Sequence, residues 1–156
     1  MKWIKSTLVL SVMLMTAQMV YGTDRTDSDV RTVEITGTDN MRFSVEEIEA
    51  SPGETIRLVF NVESNIPPAA MQHNVVILDL GVDVDGFVET SISARDNEYI
   101  DPEKEDQVIA NTLMIGGGET SEIEFTVPET PGEYTYVCTF PGHYQAGMVG
   151  VLRVSS

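Results

Sequence analysis

The sequence predicts an all-β protein, a Greek-key β-sandwich with a short helical or irregular excursion between its central strands. Three observations support this prediction. Apolar and polar residues alternate with a period of two over several short stretches, as in half-buried strands. Turn signals separate these stretches at Pro52-Gly53, Gly116-Gly117-Gly118 and Pro131-Gly132. Short strands with turns at this spacing are typical of antiparallel sandwiches.

Eight segments are expected to be strands or short returns to the sheet, namely 31–36, 43–45, 55–62, 73–80, 113–115, 120–127, 134–138 and 148–154. The fourth is apolar throughout, which favours a central position. In the seventh, Tyr134, Tyr136 and Cys138 share one face, whereas Val137 lies on the other. Turns are expected at 37–40, at the Pro-Gly pairs and at the glycine triplet.

The stretch 81–109 interrupts this pattern. It is acidic and lacks the alternation of a strand, so we expect a long excursion with one or two helical turns after Asp101-Pro102. The remaining length suits one hydrophobic core, and residues 31–156 are therefore expected to form one domain.

The first 22 residues have the features of a secretory signal peptide. Lys2 and Lys5 precede an uncharged apolar run from Leu8 to Val20, and Val20-Tyr21-Gly22 fits a cleavage site. The alternative, an uncleaved membrane anchor, is less favoured because a span needs about 20 apolar residues. We therefore expect residues 1–22 to be a signal peptide and 23–30 a flexible acidic lead-in. The mature protein is expected to be soluble and periplasmic or secreted, without stable membrane insertion.

The net charge of −16 limits the choice of partners. An excess of acidic groups repels nucleic acid and anionic membranes and favours partners with a basic face. The plain alternative is that the acidic residues serve solubility. A single cysteine excludes an internal disulfide, and its thiol is expected to be buried or bound to a metal. We expect a monomer.

The residues most indicative of function lie near the C-terminus. The only cysteine, Cys138, is followed by His143 and Met148 at five-residue steps, and the only other histidine is His73. A trigonal set of two histidines and one cysteine, with a weakly bound methionine, is that of a blue-copper electron-transfer site. A Greek key can bring the strand that starts at His73 to the end of the strand that Cys138 completes.

Two neighbouring residues fit this hypothesis. Asn74 follows His73, and its amide is expected to bridge the two ligand segments. Pro141 has no N–H and cannot donate a hydrogen bond toward the Cys138 sulfur. Taken singly, a buried cysteine or methionine is more often a core residue. The joint spacing favours a metal site.

Residues 71–76 and 138–148 resemble the two ligand segments of the small blue (type 1) copper proteins, the plastocyanin/azurin family with the cupredoxin fold. The loop begins as in azurin, but four residues separate its histidine and methionine, as in plastocyanin. This combination is most like auracyanin. Two features depart from the family: Val75 stands where a tryptophan is frequent, and the disulfide of azurin is impossible.

The resemblance implies one copper ion per chain and four ligands: His73, Cys138, His143 and Met148. The backbone carbonyl of Gln72 would lie near the metal opposite Met148, and Asn74 and Phe140 would lie beside the site. The edge of the His143 ring would reach the surface within an apolar patch. The candidates for that patch are Phe140, Pro141, Ala146 and Met71.

The function expected from these residues is that of a soluble exported one-electron carrier cycling between Cu(II) and Cu(I). Its partner would be a redox protein with a basic docking face, such as a c-type cytochrome. The alternative is copper storage or delivery. An enzyme is not expected, because both histidines are already assigned and a catalytic copper would need more.

Overall fold

The computed structural model describes residues 30–155, which form a sandwich of two sheets and a two-stranded ribbon. The strands are β1 (Val30–Thr38), β2 (Arg42–Phe43), β3 (Glu47–Ala50), β4 (Thr55–Glu63), β5 (Gln72–His73), β6 (Val76–Leu78), β7 (Val108–Asn111), β8 (Ile115–Gly116), β9 (Thr120–Thr126), β10 (Gly132–Val137) and β11 (Val149–Val154). One sheet has the order β2-β1-β4-β9 and the other β3-β11-β10-β6-β7, while β5 pairs with β8. The predicted all-β sandwich is confirmed.

The predicted signal peptide and residues 23–29 of the lead-in lie outside the described residues. Residue 30, the last of the expected lead-in, lies in β1, where Val30 pairs with Thr55 of β4. Within 30–155, neither the length nor the hydropathy of any helix suffices for a membrane crossing.

Two strand pairs are parallel, although the sequence suggested an antiparallel sandwich. β1 runs parallel to β4, and β3 runs parallel to β11. After β2 the chain crosses to the other sheet for β3 and returns for β4, so β4 arrives in the direction of β1. β3 itself was missed, because it has only four residues and two of them are glutamates, which are depleted in strands.

Side-chain alternation builds two cores, as the pattern predicted. Tyr134, Tyr136 and Cys138 are fully or almost fully buried between the sheets, in the larger core. Val137 points the other way, into a smaller core that the helix of the excursion closes with Phe87. The strand that leads to the cysteine is therefore buried on both faces.

The apolar segment 73–80 is not one strand, and that prediction was wrong. His73 ends β5 in the ribbon, whereas Val76 begins β6 in the larger sheet. Between them, the backbone N–H of Val75 donates to the Thr112 hydroxyl at 2.9 Å, and the Thr112 N–H donates back to the Val75 carbonyl at 3.0 Å. These two bonds satisfy the backbone at the point where the chain changes sheet.

The excursion contains more structure than the sequence indicated. Helix α1 (Val84–Ser91) begins at Asp83, whose side chain accepts from the Gly86 N–H. Two 3₁₀ segments follow, Arg95–Asn97 and Pro102–Gln107, and the second confirms the turns expected after Asp101-Pro102. α1 was missed, although its capping aspartate and apolar residues at helical spacing were visible in the sequence.

Candidate metal centre

Three potential metal donors meet at one end of the sandwich. The Nδ1 atoms of His73 and His143 lie 3.0 Å apart, and the Cys138 sulfur lies 3.5 Å from Nδ1 of His143 and 3.9 Å from Nδ1 of His73. In a triangle with these sides, one point lies about 2 Å from all three atoms, close to the metal–nitrogen distance of about 2.0 Å at histidine sites. Among residues 30–155, these three form the single group of donors close enough to hold a metal ion.

The loop between β10 and β11 is closed by its own backbone. The Cys138 N–H donates to the Met148 carbonyl at 3.1 Å, and the Met148 N–H donates to the His143 carbonyl at 2.9 Å. The His143 N–H in turn donates to the Phe140 carbonyl at 3.0 Å. These bonds bring three of the four predicted ligands onto one compact loop, and His73 arrives from β5.

Gly37 of β1 provides room beneath the site. A Cβ atom at this position would lie 3.1 Å from the terminal methyl of Met148, 3.3 Å from Cδ2 of His73 and 3.0 Å from the Phe60 ring. The fully buried Met148 side chain and the His73 ring therefore both pack against this glycine. Nothing in the sequence indicates this role, since the residues around Gly37 predict a turn. Met148 as an axial ligand stays a prediction.

Burial fixes the protonation of the donors. Removal from water raises the pKa of the Cys138 thiol to about 12, while the backbone N–H groups of Asn74 and Phe140 act in the opposite direction. Burial also lowers the pKa of His73 to about 4, and the nearby His143 adds to this effect. Burial lowers the pKa of His143 to about 4 as well. At neutral pH the metal-free site therefore holds a protonated thiol and two neutral imidazoles. A metal cation would have to displace the thiol proton.

Asn74 bridges the two ligand segments, as its position suggested. Its side-chain N–H donates to the Thr139 hydroxyl at 2.9 Å, and its side-chain oxygen accepts from the Thr139 N–H at 2.9 Å. The same amide donates to the Glu98 carbonyl at 3.0 Å. One fully buried side chain thus joins the residue after His73 to the residue after Cys138 and to the excursion.

The excursion reaches the site through an aromatic contact that the sequence analysis missed. The Phe140 ring packs on His143 with centroids 4.7 Å apart, and Tyr99 meets Phe140 edge-on at 5.6 Å. Glu98 and Tyr99 both have left-handed backbones, with φ of 55° and 54°, and the Glu98 carboxylate accepts from the Met114 N–H. No residue type in this stretch signals a left-handed pair, because glutamate and tyrosine rarely adopt it.

Arg42 holds the outer side of the ligand loop. Its guanidinium donates to the Ala146 carbonyl and, at 2.9 Å, to the Met41 carbonyl. It also lies against Gly147, where φ is +99° and a side chain would collide with the guanidinium. A basic residue of β2 therefore fixes the part of the loop between His143 and Met148.

The surface around the site differs in part from the prediction. Phe140, Pro141 and Ala146 are partly exposed, but Met71 is only 8% exposed, so its assignment to a surface patch was wrong. The apolar loop that precedes Met71 is exposed and consists of Ile66, Pro67, Pro68, Ala69 and Ala70. The His143 side chain is itself only 4% exposed. Gln72 pairs with Gly116, and the position of its carbonyl near a metal stays a prediction.

Comparisons with known proteins agree with this geometry. Residues 30–155 match the family model described as copper binding proteins, plastocyanin/azurin family. The chain is 34% identical to auracyanin-B of Chloroflexus aurantiacus over 131 residues, covering 83% of this chain and 54% of that protein. It is 37% identical to azurin-1 of Alcaligenes xylosoxydans xylosoxydans over 127 residues, covering 78% of this chain and 95% of the relative.

The fold is also similar to that of a solved structure. Auracyanin A of Chloroflexus aurantiacus, described as a "blue" copper protein, superposes with a TM-score of 0.72 at 31% identity. The match covers 81% of this chain and 99% of that structure. This chain spans about half the length of the curated relative auracyanin-B.

Proposed function

Since the chain belongs to the plastocyanin/azurin family of copper-binding proteins, we propose that it is an exported one-electron carrier with a single type 1 copper centre. His73, Cys138 and His143 would be the equatorial ligands and Met148 the weak axial one. The observation that carries the proposal is the buried triangle of two imidazole nitrogens and one thiol sulfur, with sides of 3.0–3.9 Å. Copper bound there would supply the Cu(II)/Cu(I) couple.

The protein provides what such a couple needs. A soft thiolate with two neutral imidazoles accommodates both oxidation states, and divalent copper is favoured over the other divalent metals of the first row. The Asn74 and Phe140 N–H groups point at the Cys138 sulfur and withdraw electron density from it. Fixed donors on two sheet-anchored segments would change little on reduction, so the reorganisation that accompanies electron transfer stays small.

Electrons would leave and enter through His143. This residue is the predicted ligand on the exposed side of the site, and it lies under Phe140 next to the partly exposed Pro141 and Ala146. The chain carries a net charge of −16, which favours a redox partner with a basic face, such as a c-type cytochrome. Association rates that fall steeply with added salt would support this steering, whereas rates independent of ionic strength would contradict it.

The same site geometry separates the carrier from a storage or delivery protein. Cys138, His73 and Met148 are all fully buried, so a bound ion has no direct path to a competing chelator. We expect bound Cu(I) to exchange slowly with a strong chelator while electrons exchange quickly with a small redox reagent. Rapid loss of the metal to the chelator would favour delivery instead. Catalysis is not proposed, because both histidines are used by the one site.

The decisive experiment is optical and electron paramagnetic resonance spectroscopy of residues 23–156 after addition of one equivalent of Cu(II). We expect an intense visible thiolate-to-copper band and a narrow copper hyperfine splitting, both bleached by reductant and both lost in Cys138→Ser. The axial ligand is tested with Met148→Leu, which should shift the reduction potential. A pale, wide-split signal would reject the type 1 centre.

A further inference from the structure

Two buried side-chain atoms near the site have no hydrogen-bond partner within the described part of the chain, and they are Nε2 of His73 and Oδ1 of Asp39. A buried polar atom without a partner destabilises the fold, so such atoms in a native fold need an explanation. One atom belongs to an imidazole, which can carry a proton there. The other belongs to a carboxylate, which can accept one hydrogen bond more.

The orientation of the His73 ring turns the edge that carries Nε2 toward the part of β1 that leads to Asp39. Nδ1 faces the site, 3.0 Å from Nδ1 of His143. The opposite edge of the ring contains Cδ2 and Nε2, and Cδ2 lies against Gly37, at 3.3 Å from the position of a Cβ there. Asp39 is two residues after Gly37, in the turn that joins β1 to β2. The edge that carries Nε2 therefore faces the segment that ends in Asp39.

The Asp39 carboxylate is held between two segments that frame His73. Its Oδ2 accepts from the backbone N–H of Asn65 at 3.5 Å, in the loop that leads to β5. Its Oδ1 is buried, although the residue as a whole is only partly so. The charge of Asp39 also acts on the histidine: the pKa of His73 is lowered by burial and by His143, and Asp39 opposes both.

We propose that Asp39 is a positioning residue for the metal ligand His73, accepting the Nε2–H of that ring through one buried water molecule. No direct bond within 3.5 Å joins the two groups, and a bridging water satisfies both at little cost. This arrangement keeps the ring proton on Nε2 and leaves the Nδ1 lone pair directed at the site. It also places a negative charge behind the ligand, which makes the imidazole a stronger donor and favours the higher oxidation state of a bound metal.

The first test uses the metal-free wild-type protein and does not depend on the proposed function. Nitrogen-15 NMR of the imidazole side chains reports which ring nitrogen carries the proton. We expect His73 to be in the Nε2–H form, with that proton protected from exchange with solvent. A His73 protonated on Nδ1 would overturn the proposal.

The second test compares two variants that each remove one negative charge. Asp39→Asn keeps the shape but weakens the acceptor, while Glu63→Gln removes an exposed carboxylate at the end of β4, opposite Thr38. In Asp39→Asn we expect faster exchange of the His73 Nε2 proton in the metal-free protein, and no change in Glu63→Gln. Equal exchange rates in both variants would show that Asp39 has no specific role.

The third test rests on the proposed copper function. We expect Asp39→Asn to lower the ratio of Cu(II) to Cu(I) affinity about tenfold, which corresponds to a rise in reduction potential of about 59 mV for a one-electron couple. Glu63→Gln should shift the potential much less. Equal shifts in the two variants would indicate only a general field effect and would contradict a positioning role. If no blue copper centre forms, the proposed function fails, but the two NMR tests still decide the role of Asp39.

Discussion

The two histidines of the candidate centre are held by different kinds of structure. His73 belongs to a strand and packs against Gly37 of β1 and, through the ribbon, pairs with Ile115. His143 belongs to a loop, whose shape depends on its own backbone hydrogen bonds and on the Phe140 and Tyr99 rings that cover it. His73 is therefore positioned by the strands of the sandwich, and His143 by the loop and the aromatic rings at the end of the sandwich.

This difference separates two tasks within one site. The sandwich side determines where the donor atoms lie, because any movement of His73 requires movement of packed strands. The loop side determines how closely the centre approaches the surface and its partners. Asn74 joins the two, since it bonds to Thr139 after the cysteine and to Glu98 of the excursion.

The largest expected effect is that of pH on the stability of the metal-free protein. It tests whether the histidine held by the strand and the histidine held by the loop contribute equally. Both imidazoles have a folded pKa of about 4, below the usual 6.5, so the unfolded chain binds more protons than the metal-free fold between these values. Their stabilisation is present above pH 6.5 and is lost as the pH falls toward 4, at about 1.4 kcal/mol per pH unit for each ring.

Urea unfolding of the metal-free protein between pH 4.5 and 8 measures this loss. Replacing His143 with glutamine should halve the slope, and a slope that does not change would mean that only one ring contributes. The thiol acts at the other end, because its folded pKa of about 12 exceeds the usual 9, so the metal-free fold loses stability as the pH rises between these values.

A glycine-to-alanine substitution on each side tests the packing difference. Gly37→Ala inserts a methyl group between His73, Met148 and Phe60, and we expect a loss of about 1–3 kcal/mol together with a changed copper spectrum. Gly142 has open space around it but φ of +87°, so Gly142→Ala should cost about 1–2 kcal/mol through backbone strain alone. A normal spectrum in Gly37→Ala would contradict the view that β1 sets the donor positions.

The smallest expected effect concerns the cover of the loop side. Tyr99→Leu removes the edge-on contact with Phe140, and we expect a loss of about 0.5–1.5 kcal/mol and a faster release of bound metal to a chelator. Tyr99→Phe retains the ring and is the matched control. Equal release rates in the two variants would indicate that the excursion does not protect the His143 side.

The sequence predicted one of these sides better than the other. The loop from Cys138 to Met148 is one continuous stretch of sequence, so the spacing of its ligands could be recognised without a structure. The packing of Gly37 and the position of Asp39 could not be predicted in this way, because both depend on the parallel pairing of β1 with β4 within one sheet. Clean alternation predicted the strands around Ile56 and Tyr136.

Errors in the fold prediction have similar physical origins. The break between β5 and β6 was hidden because Val75, which lies in the break, is as apolar as Val76 and Ile77 of β6. Tertiary bonds to Thr112 decide that break. The docking of the excursion was equally hidden, since it depends on a left-handed backbone at Glu98 and Tyr99 that their side chains do not favour.

The closed backbone of the ligand loop also has a kinetic consequence. Cys138 and His73 have no exposed surface, so the loop must open locally before an ion can reach the sulfur. Uptake of metal by the folded apoprotein should therefore approach a limiting rate as the metal concentration rises. That plateau would equal the frequency with which the loop opens, so the rate of maturation would be a property of the polypeptide and not of the metal supply.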